Sequence, residues 1–266
     1  MFFLDSSLSP GLCYSSSMNN YRRKCIIIFL WAGLILFPAS RAFTGEKTEL
    51  DEILRFDSEQ VQAIKDNEIA NVRTAVDDLI KKYRAFIRKY PKNVDARNYL
   101  GGIYYDFGEP EKALREWRTG LKLNPQDPYI HNNIAEYYGH NSGEPEKAIK
   151  ETREAIRLKM DVAVFHFNLA TYYDVFRFVV LPEFESMENV FEKCLKEYRK
   201  AIELEPANLE YASTYARTLT YSPKMWKIKD SCPVLDKIKA WEYCLALTPD
   251  KQQKEFMEKE IKKLKK

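Results

Sequence analysis

The chain has 266 residues, of which 45% are apolar and 30% are charged, and these proportions are typical of a folded globular protein. Its formal net charge is +3, but residues 1–42 hold four basic residues and one acidic residue. The remainder has 38 of each sign, and this balance excludes a basic field for nucleic acid.

The N-terminus is predicted to be a targeting segment. Arg22, Arg23 and Lys24 precede the apolar residues 25–37, and small residues follow up to Ala42. A basic start, a short apolar run and small residues are typical of a secretory signal, so residues 1–42 are predicted to be a signal peptide. Met18 is a possible true start. Thirteen residues span about 20 Å as a helix, short of a roughly 30 Å bilayer core. We therefore expect export, with the periplasm favoured, and an uncleaved membrane anchor is the alternative.

Residues 43–92 are predicted to form an N-terminal helical segment. Their apolar residues recur at helical spacing, and the last of them read as the second half of a helical repeat that ends before Pro91. The apolar positions are Ile53, Leu54, Phe56, Val61, Ile64, Leu79, Tyr83 and Phe86.

The next part of the chain contains a hexapeptide that occurs twice. Gly-Glu-Pro-Glu-Lys-Ala at 108–113 recurs unchanged at 143–148, which is 35 residues later. Small residues at Gly101, Ala135 and Ala170 are spaced 34 and 35 apart, and each precedes a tyrosine by three positions. A period of this size indicates stacked pairs of helices, which pack closely where their side chains are small.

This order of small and aromatic residues resembles the tetratricopeptide repeat (TPR) family. The resemblance implies an all-α fold, a right-handed α-α superhelix (TPR solenoid), with three units in residues 93–207. The third unit carries an insertion at about 176–191, which either covers the neighbouring repeat or forms an apolar lip that docks a partner or membrane. Residues 208–266 are expected to form a degenerate fourth unit and a C-terminal capping helix.

The resemblance also implies a concave groove lined by the first helix of each unit, which takes a protein or peptide partner. Gly102 and His140 also fall on this face. By repeat position, the partner-binding residues would be Asn98, Tyr105, Asn132, Glu136, Phe167, Thr171, Asp174 and Arg217.

The sequence indicates no catalytic, cofactor or metal site, because the usual motifs are absent. His131 and His166 share one repeat position; packing is the favoured interpretation and a metal site is the alternative. Of the cysteines after residue 42, Cys194 and Cys244 fall where the repeat needs small packing residues, and Cys232 falls in a loop. Three is an odd number, so at least one thiol stays free or bonds outside the chain.

The predicted function is therefore that of an exported, non-enzymatic TPR adaptor for an envelope protein or peptide. The alternatives are an accessory subunit of an envelope enzyme or assembly machine, or an enzyme with a site in the groove. Nucleic acid is not an expected partner, membrane proximity would come from an uncleaved signal, and the oligomeric state is left open.

Overall fold

A computed structural model describes residues 45–65 and 72–266. The predicted signal peptide, with Met18 and the apolar residues 25–37, lies outside the described residues, as do the side chains of Val61 and Ile64. The described chain falls into two compact units, one ending at Pro125 and the other running from Gln126 to Lys266.

The first unit consists of helices that each pack against the next one along the chain. Arg97 of the third of these helices forms an ion pair of 2.9 Å with Glu116 of the fourth, which ties the two together. The helices are α1 (Gly45–Lys65), α2 (Val72–Lys89), α3 (Val94–Asp106) and α4 (Pro110–Leu123).

The second unit is also helical, and none of the described residues of the chain forms a strand. Its helices pair as α5 with α6, α7 with α9 and α10 with α11, and α12 packs on α11. Within residues 45–65 and 72–266, every helix is too short or too polar to cross a bilayer. The helices are α5 (Pro128–Tyr137), α6 (Pro145–Leu158), α7 (Ala163–Val175), α8 (Arg177–Val180), α9 (Met187–Leu204), α10 (Leu209–Trp226), α11 (Val234–Leu247) and α12 (Lys251–Leu264).

Small residues allow the paired helices to approach closely, as the sequence predicts. A Cβ atom placed on Gly101 in α3 would lie 2.3 Å from Nε1 of Trp117 in α4, so only glycine fits. That indole N–H donates to the backbone carbonyl of Asn98 at 3.2 Å. Ala135 and Ala170, at the equivalent positions of the next two repeats, are fully buried.

The repeated hexapeptide forms the turn between paired helices. Gly108 and Gly143 have φ values of 79° and 65°, in the left-handed region that glycine adopts without steric cost. Pro110 and Pro145 are the first residues of α4 and α6, where proline's missing N–H is not needed. The prediction for this turn is confirmed.

The two turns differ by one residue. The N–H of Glu109 donates to the carbonyl of Tyr104, five residues back, and the N–H of Glu144 donates to that of Tyr138, six residues back. The additional residue is taken up by a π-helical turn at Tyr138–Ser142. This explains why the hexapeptides are 35 residues apart while Gly101 and Ala135 are 34 apart.

Polar side chains cap the N-terminus of the first helix in three of the helical hairpins. The side chains of Asn93, Asp127 and Asn208 accept backbone N–H groups at the beginnings of α3, α5 and α10. Such a cap stabilises a helix by about 1 kcal/mol. Val162 occupies this position before α7 and supplies no side-chain cap.

The insertion in the third repeat contains both buried and exposed apolar side chains. Val180 of α8 is buried, and the ring of Phe184 packs edge-on against Tyr173, with 6.0 Å between centroids. Phe178, by contrast, is exposed. Part of the insertion therefore covers the neighbouring helices, and part of it presents an apolar side chain to solvent.

The three described cysteines are free thiols. Cys194 and Cys244 are fully buried, and the thiol of Cys194 donates to the carbonyl of Ala170 at 3.3 Å. The packing role predicted for these two is confirmed, while Cys232 is half-buried in the loop after α10.

Candidate functional site

The predicted partner-binding residues are divided between the two units. Asn98 and Tyr105 belong to α3 in the first unit, where both are half-buried. The ring of Tyr105 lies 5.6 Å from that of Trp117, so this part of the predicted surface rests on the Gly101–Trp117 packing. The other six residues lie on α5, α7 and α10 of the second unit.

Three polar side chains join α5 to α7, and we call them the amide cluster: Asn132, Glu136 and Asn168. The side-chain amide of Asn168 donates to Oδ1 of Asn132 at 3.0 Å and to Oε1 of Glu136 at 3.1 Å. The amide of Asn132 also donates to Oε1 of Glu136, at 3.0 Å. Asn132 is only 2% exposed, whereas Glu136 and Asn168 are partly exposed.

The environment of the amide cluster changes the chemistry of its carboxyl group. Burial raises the pKa of Glu136 to about 7, although the hydrogen bonds from Asn168 and Asn132 act in the opposite direction. A carboxyl group with this pKa exchanges protons near neutral pH, and it can either donate or accept a hydrogen bond.

Aromatic packing joins α7 to α10. Phe167 stacks on Tyr211 with 4.6 Å between ring centroids, and it also contacts Tyr198 at 5.6 Å. Thr171 donates to the backbone carbonyl of Phe167 at 2.9 Å, and its hydroxyl lies 3.3 Å from that of Tyr198. Phe167 is only 9% exposed, so its ring serves mainly to hold these helices together.

Asp174 forms a second polar link between α7 and α10. Its carboxylate accepts hydrogen bonds from Thr218 at 3.2 Å and from Ser222 at 3.4 Å. Burial raises the pKa of Asp174, and the hydrogen bonds from α10 lower it. Arg217 is exposed and approaches Thr214 on its own helix at 3.5 Å, so the structure does not place it in this link.

Sequence reasoning missed three residues of this surface: Asn168, Thr218 and Ser222. The repeat position of Asn132 is occupied by Phe167 in the next unit. The repeat spacing therefore does not predict a side-chain hydrogen bond between the two helices. His140, which the sequence placed on the same face, is exposed beside the ring of Tyr172.

The two histidines at the shared repeat position pair with glutamates within their own hairpins. Nδ1 of His131 lies 2.6 Å from Glu151, and Nδ1 of His166 lies 2.7 Å from Glu197. Nε2 of His166 faces the carbonyl of Met160 at 3.0 Å. No group of three or more metal-binding side chains occurs within the part of the chain that the structure describes.

Comparison with known proteins identifies the repeat. Residues 101–142 match the family model of the TPR repeat, a span that includes the first copy of the hexapeptide and ends just before the second. No curated protein matches the chain significantly in sequence.

Solved structures of low sequence identity share the fold. Pseudomonas aeruginosa PilF has 14% identity and a TM-score of 0.59, and the match covers 83% of this chain and 86% of that chain. The thermophilic TPR protein TTC0263 of Thermus thermophilus has 13% identity and a TM-score of 0.52, covering 83% and 98%. PilW, a widely conserved type IV pilus biogenesis factor, has 12% identity and a TM-score of 0.52, covering 84% and 94%. At these identities the likeness concerns the fold alone.

The helical hairpins, their all-α class and the matched repeat agree with the fold predicted from the sequence. Residues 101–142 are therefore a tetratricopeptide repeat, in a chain whose described residues share the all-α fold of TPR proteins of known structure.

Proposed function

We propose that this chain is a non-catalytic protein-interaction scaffold, exported to the cell envelope, that binds an extended segment of a partner protein. The amide cluster of the second unit carries this proposal. Its side chains lie on neighbouring first helices and are held in one arrangement by their mutual hydrogen bonds.

The chemistry of the amide cluster suits the backbone of an extended peptide. A carboxamide has both donors and acceptors, as a peptide group does, so Asn168 can exchange its present bonds for equivalent ones to a ligand. Because the cluster is ordered before binding, little conformational entropy is lost when a ligand arrives. The partly exposed Glu136 adds a group that can accept from a peptide N–H.

Peptide selection tests the binding role. A display library of unstructured peptides is selected against the full chain, and the affinity of the enriched peptides is measured by calorimetry. Asn168→Ala removes two hydrogen bonds at the cluster, so we expect at least about a tenfold loss of affinity, equivalent to about 1.4 kcal/mol. Asn141→Ala is the matched control, because Asn141 is exposed in the turn after α5, and it should bind within about twofold of the native chain.

The outcome separates the alternatives. Failure to enrich peptides, or equal affinity in both variants, contradicts binding at the amide cluster. Thermal melts of both variants check that the fold is retained. Mass spectra of the peptides after incubation test the non-catalytic part, since cleaved or modified peptides would favour an enzyme.

Export has its own test. The chain is expressed in a bacterial host, recovered from the envelope fraction, and its N-terminus is sequenced. Cleavage after Ala42 gives a mature chain beginning at Phe43, as the small residues before that bond suggest. An intact N-terminus in the membrane fraction would support the anchored alternative, and cytosolic recovery would contradict export.

A further inference from the structure

Charge is segregated along the chain in a way that its net value conceals. Residues 224–266 hold twelve lysines and seven acidic residues, a net charge of +5. Residues 43–223 hold 26 basic and 31 acidic residues, a net charge of −5. The positive charge is therefore concentrated in the part of the second unit that begins at the end of α10.

Large apolar side chains are exposed at the same place. We call this surface the α10–α11 tip, formed where α10 ends and α11 begins. Its apolar side chains are all at least half exposed: Phe178 68%, Met225 64%, Leu235 58% and Val234 51%. Its lysines are Lys224, Lys227 and Lys229, which lie at the end of α10 and in the loop that follows.

Side-chain contacts bring Phe178 to this tip, although it comes from the insertion. The guanidinium of Arg177 lies 4.7 Å from the ring centroid of Phe178 and 5.3 Å from that of Trp226. Trp226 is the last residue of α10 and follows Met225 directly. Arg177 of the insertion therefore packs beside the last residue of α10, which brings Phe178 near the end of that helix.

The last turn of α12 adds further positive charge. A hydrogen bond between the hydroxyl of Tyr221 in α10 and Glu260 in α12 places these helix ends together. Lys262, Lys263, Lys265 and Lys266 lie shortly after Glu260. Two of the four have an acidic partner, since Lys263 pairs with Glu260 and Lys265 with Glu242.

The lysines of the tip are offset in part by Asp236, which is exposed in the first turn of α11. Asp230 pairs with the buried Lys237, and Asp174 faces inward to Thr218 and Ser222. Within residues 45–65 and 72–266, the side chains of Lys224, Lys227 and Lys229 form no ion pair. These ammonium groups are therefore available to an external anionic surface.

We propose that the α10–α11 tip docks on an anionic phospholipid surface. Phe178, Met225 and Leu235 enter the boundary between headgroups and acyl chains, and the lysines contact the headgroups. Combined lysines and large apolar side chains are the pattern of proteins that lie in a membrane interface. A protein partner is a poorer fit, because lysine is depleted in protein–protein interfaces. This docking is independent of the amide cluster and of residues 25–37.

The test must report on the tip alone, since the apolar residues 25–37 can also enter a bilayer. Tryptophan is introduced in the full chain as Phe178→Trp, and its quenching by lipids brominated at shallow acyl positions is measured. Met160→Trp is the matched control, because Met160 is 72% exposed in the loop after α6 and outside the tip. The quenching of the native chain is subtracted from both.

We expect additional quenching for Phe178→Trp with phosphatidylglycerol vesicles, little with phosphatidylcholine vesicles, and none for Met160→Trp. A basic residue near an anionic surface contributes about fivefold in affinity. Changing Lys224, Lys227 and Lys229 together to glutamine should therefore weaken the docking about a hundredfold and remove the additional quenching. Circular dichroism melts check that each variant is folded.

Three results would overturn the proposal. One is quenching of Phe178→Trp no greater than that of the native chain, and another is equal additional quenching at Met160→Trp. The third is an emission shift of Phe178→Trp that depends on protein concentration without vesicles, accompanied by a doubled mass in light scattering. That result would assign the tip to a second copy of the chain.

Discussion

The indole of Trp117 occupies the space that a side chain on Gly101 would need, with 2.3 Å between Nε1 and a Cβ placed on the glycine. Glycine within a helix costs about 1 kcal/mol relative to alanine, so this position favours close packing over local helix propensity. We expect Gly101→Ala to lower the free energy of unfolding by about 1 to 3 kcal/mol, because the indole must move or the helices must separate. Urea unfolding followed by circular dichroism measures the loss.

The neighbouring glycine provides the control. A Cβ on Gly102 would meet nothing within 4 Å, and Gly102 belongs to the same helix. Gly102→Ala should therefore be neutral or stabilise the chain by up to about 1 kcal/mol. Similar losses from both substitutions would show that backbone effects, rather than contact with Trp117, determine the result.

The two histidine–glutamate pairs should differ in strength, although they occupy one repeat position. His166 and Glu197 are both buried, whereas the side chains of Glu151 and His131 are more exposed. Double-mutant cycles to alanine should give a coupling of roughly 1 to 3 kcal/mol for His166–Glu197 and below about 1 kcal/mol for His131–Glu151. Unfolding in urea at pH 6 gives both values, and an equal coupling in the two hairpins would contradict this ranking.

Glu136 should make stability depend on pH in the neutral range. Its pKa rises from 4.5 to about 7 on folding, so the folded state favours the protonated form. The stability that protonated Glu136 contributes is fully present below about pH 4 and is lost as pH rises through 7. Between pH 5 and pH 8 the native chain should lose roughly 1 to 3 kcal/mol more than Glu136→Gln.

Glu154→Gln is the matched control for this measurement. The hydrogen bond from Arg157 lowers the pKa of Glu154, so that this group is ionised in both states from pH 5 to pH 8. The variant should therefore keep the native pH dependence. If the free energy of unfolding of Glu136→Gln changes with pH as steeply as that of the native chain, the carboxyl group of Glu136 does not take up a proton on folding.

Cys232 should react before the other two cysteines of the second unit. It is half-buried in a loop, whereas Cys194 and Cys244 are fully buried. Burial and the nearby Asp230 raise the pKa of Cys232, so its labelling by a maleimide should be slower than that of cysteine in the unfolded chain and faster at higher pH. Peptide mapping by mass spectrometry gives the order, and earlier labelling of Cys194 would contradict the packing described above.

The paired helices could be predicted from the sequence because local rules dictate them. The small residues, the tyrosines three positions later and the Gly-x-Pro turn each have a physical reason at their own position. The structure confirms these elements from α3 to α7. The domain boundaries proposed from the sequence, including the signal peptide, remain predictions.

The candidate site was less accessible to sequence reasoning. Repeat spacing placed Asn132 and Glu136 on the correct helix, but the donor that joins them, Asn168, comes from an adjacent position on the next repeat. Likewise, the link from Asp174 to Thr218 depends on how closely α7 and α10 approach. Such contacts follow from three-dimensional distances that a linear pattern does not contain.

The π-helical turn at Tyr138–Ser142 shows how this architecture accommodates a change of chain length. An added residue widens the corner while Ala135 before it and Ala148 after it stay fully buried. A hairpin corner can therefore take up one added residue without exposing the core positions on either side of it. A sequence profile that demands a rigid 34-residue spacing will overlook such a repeat.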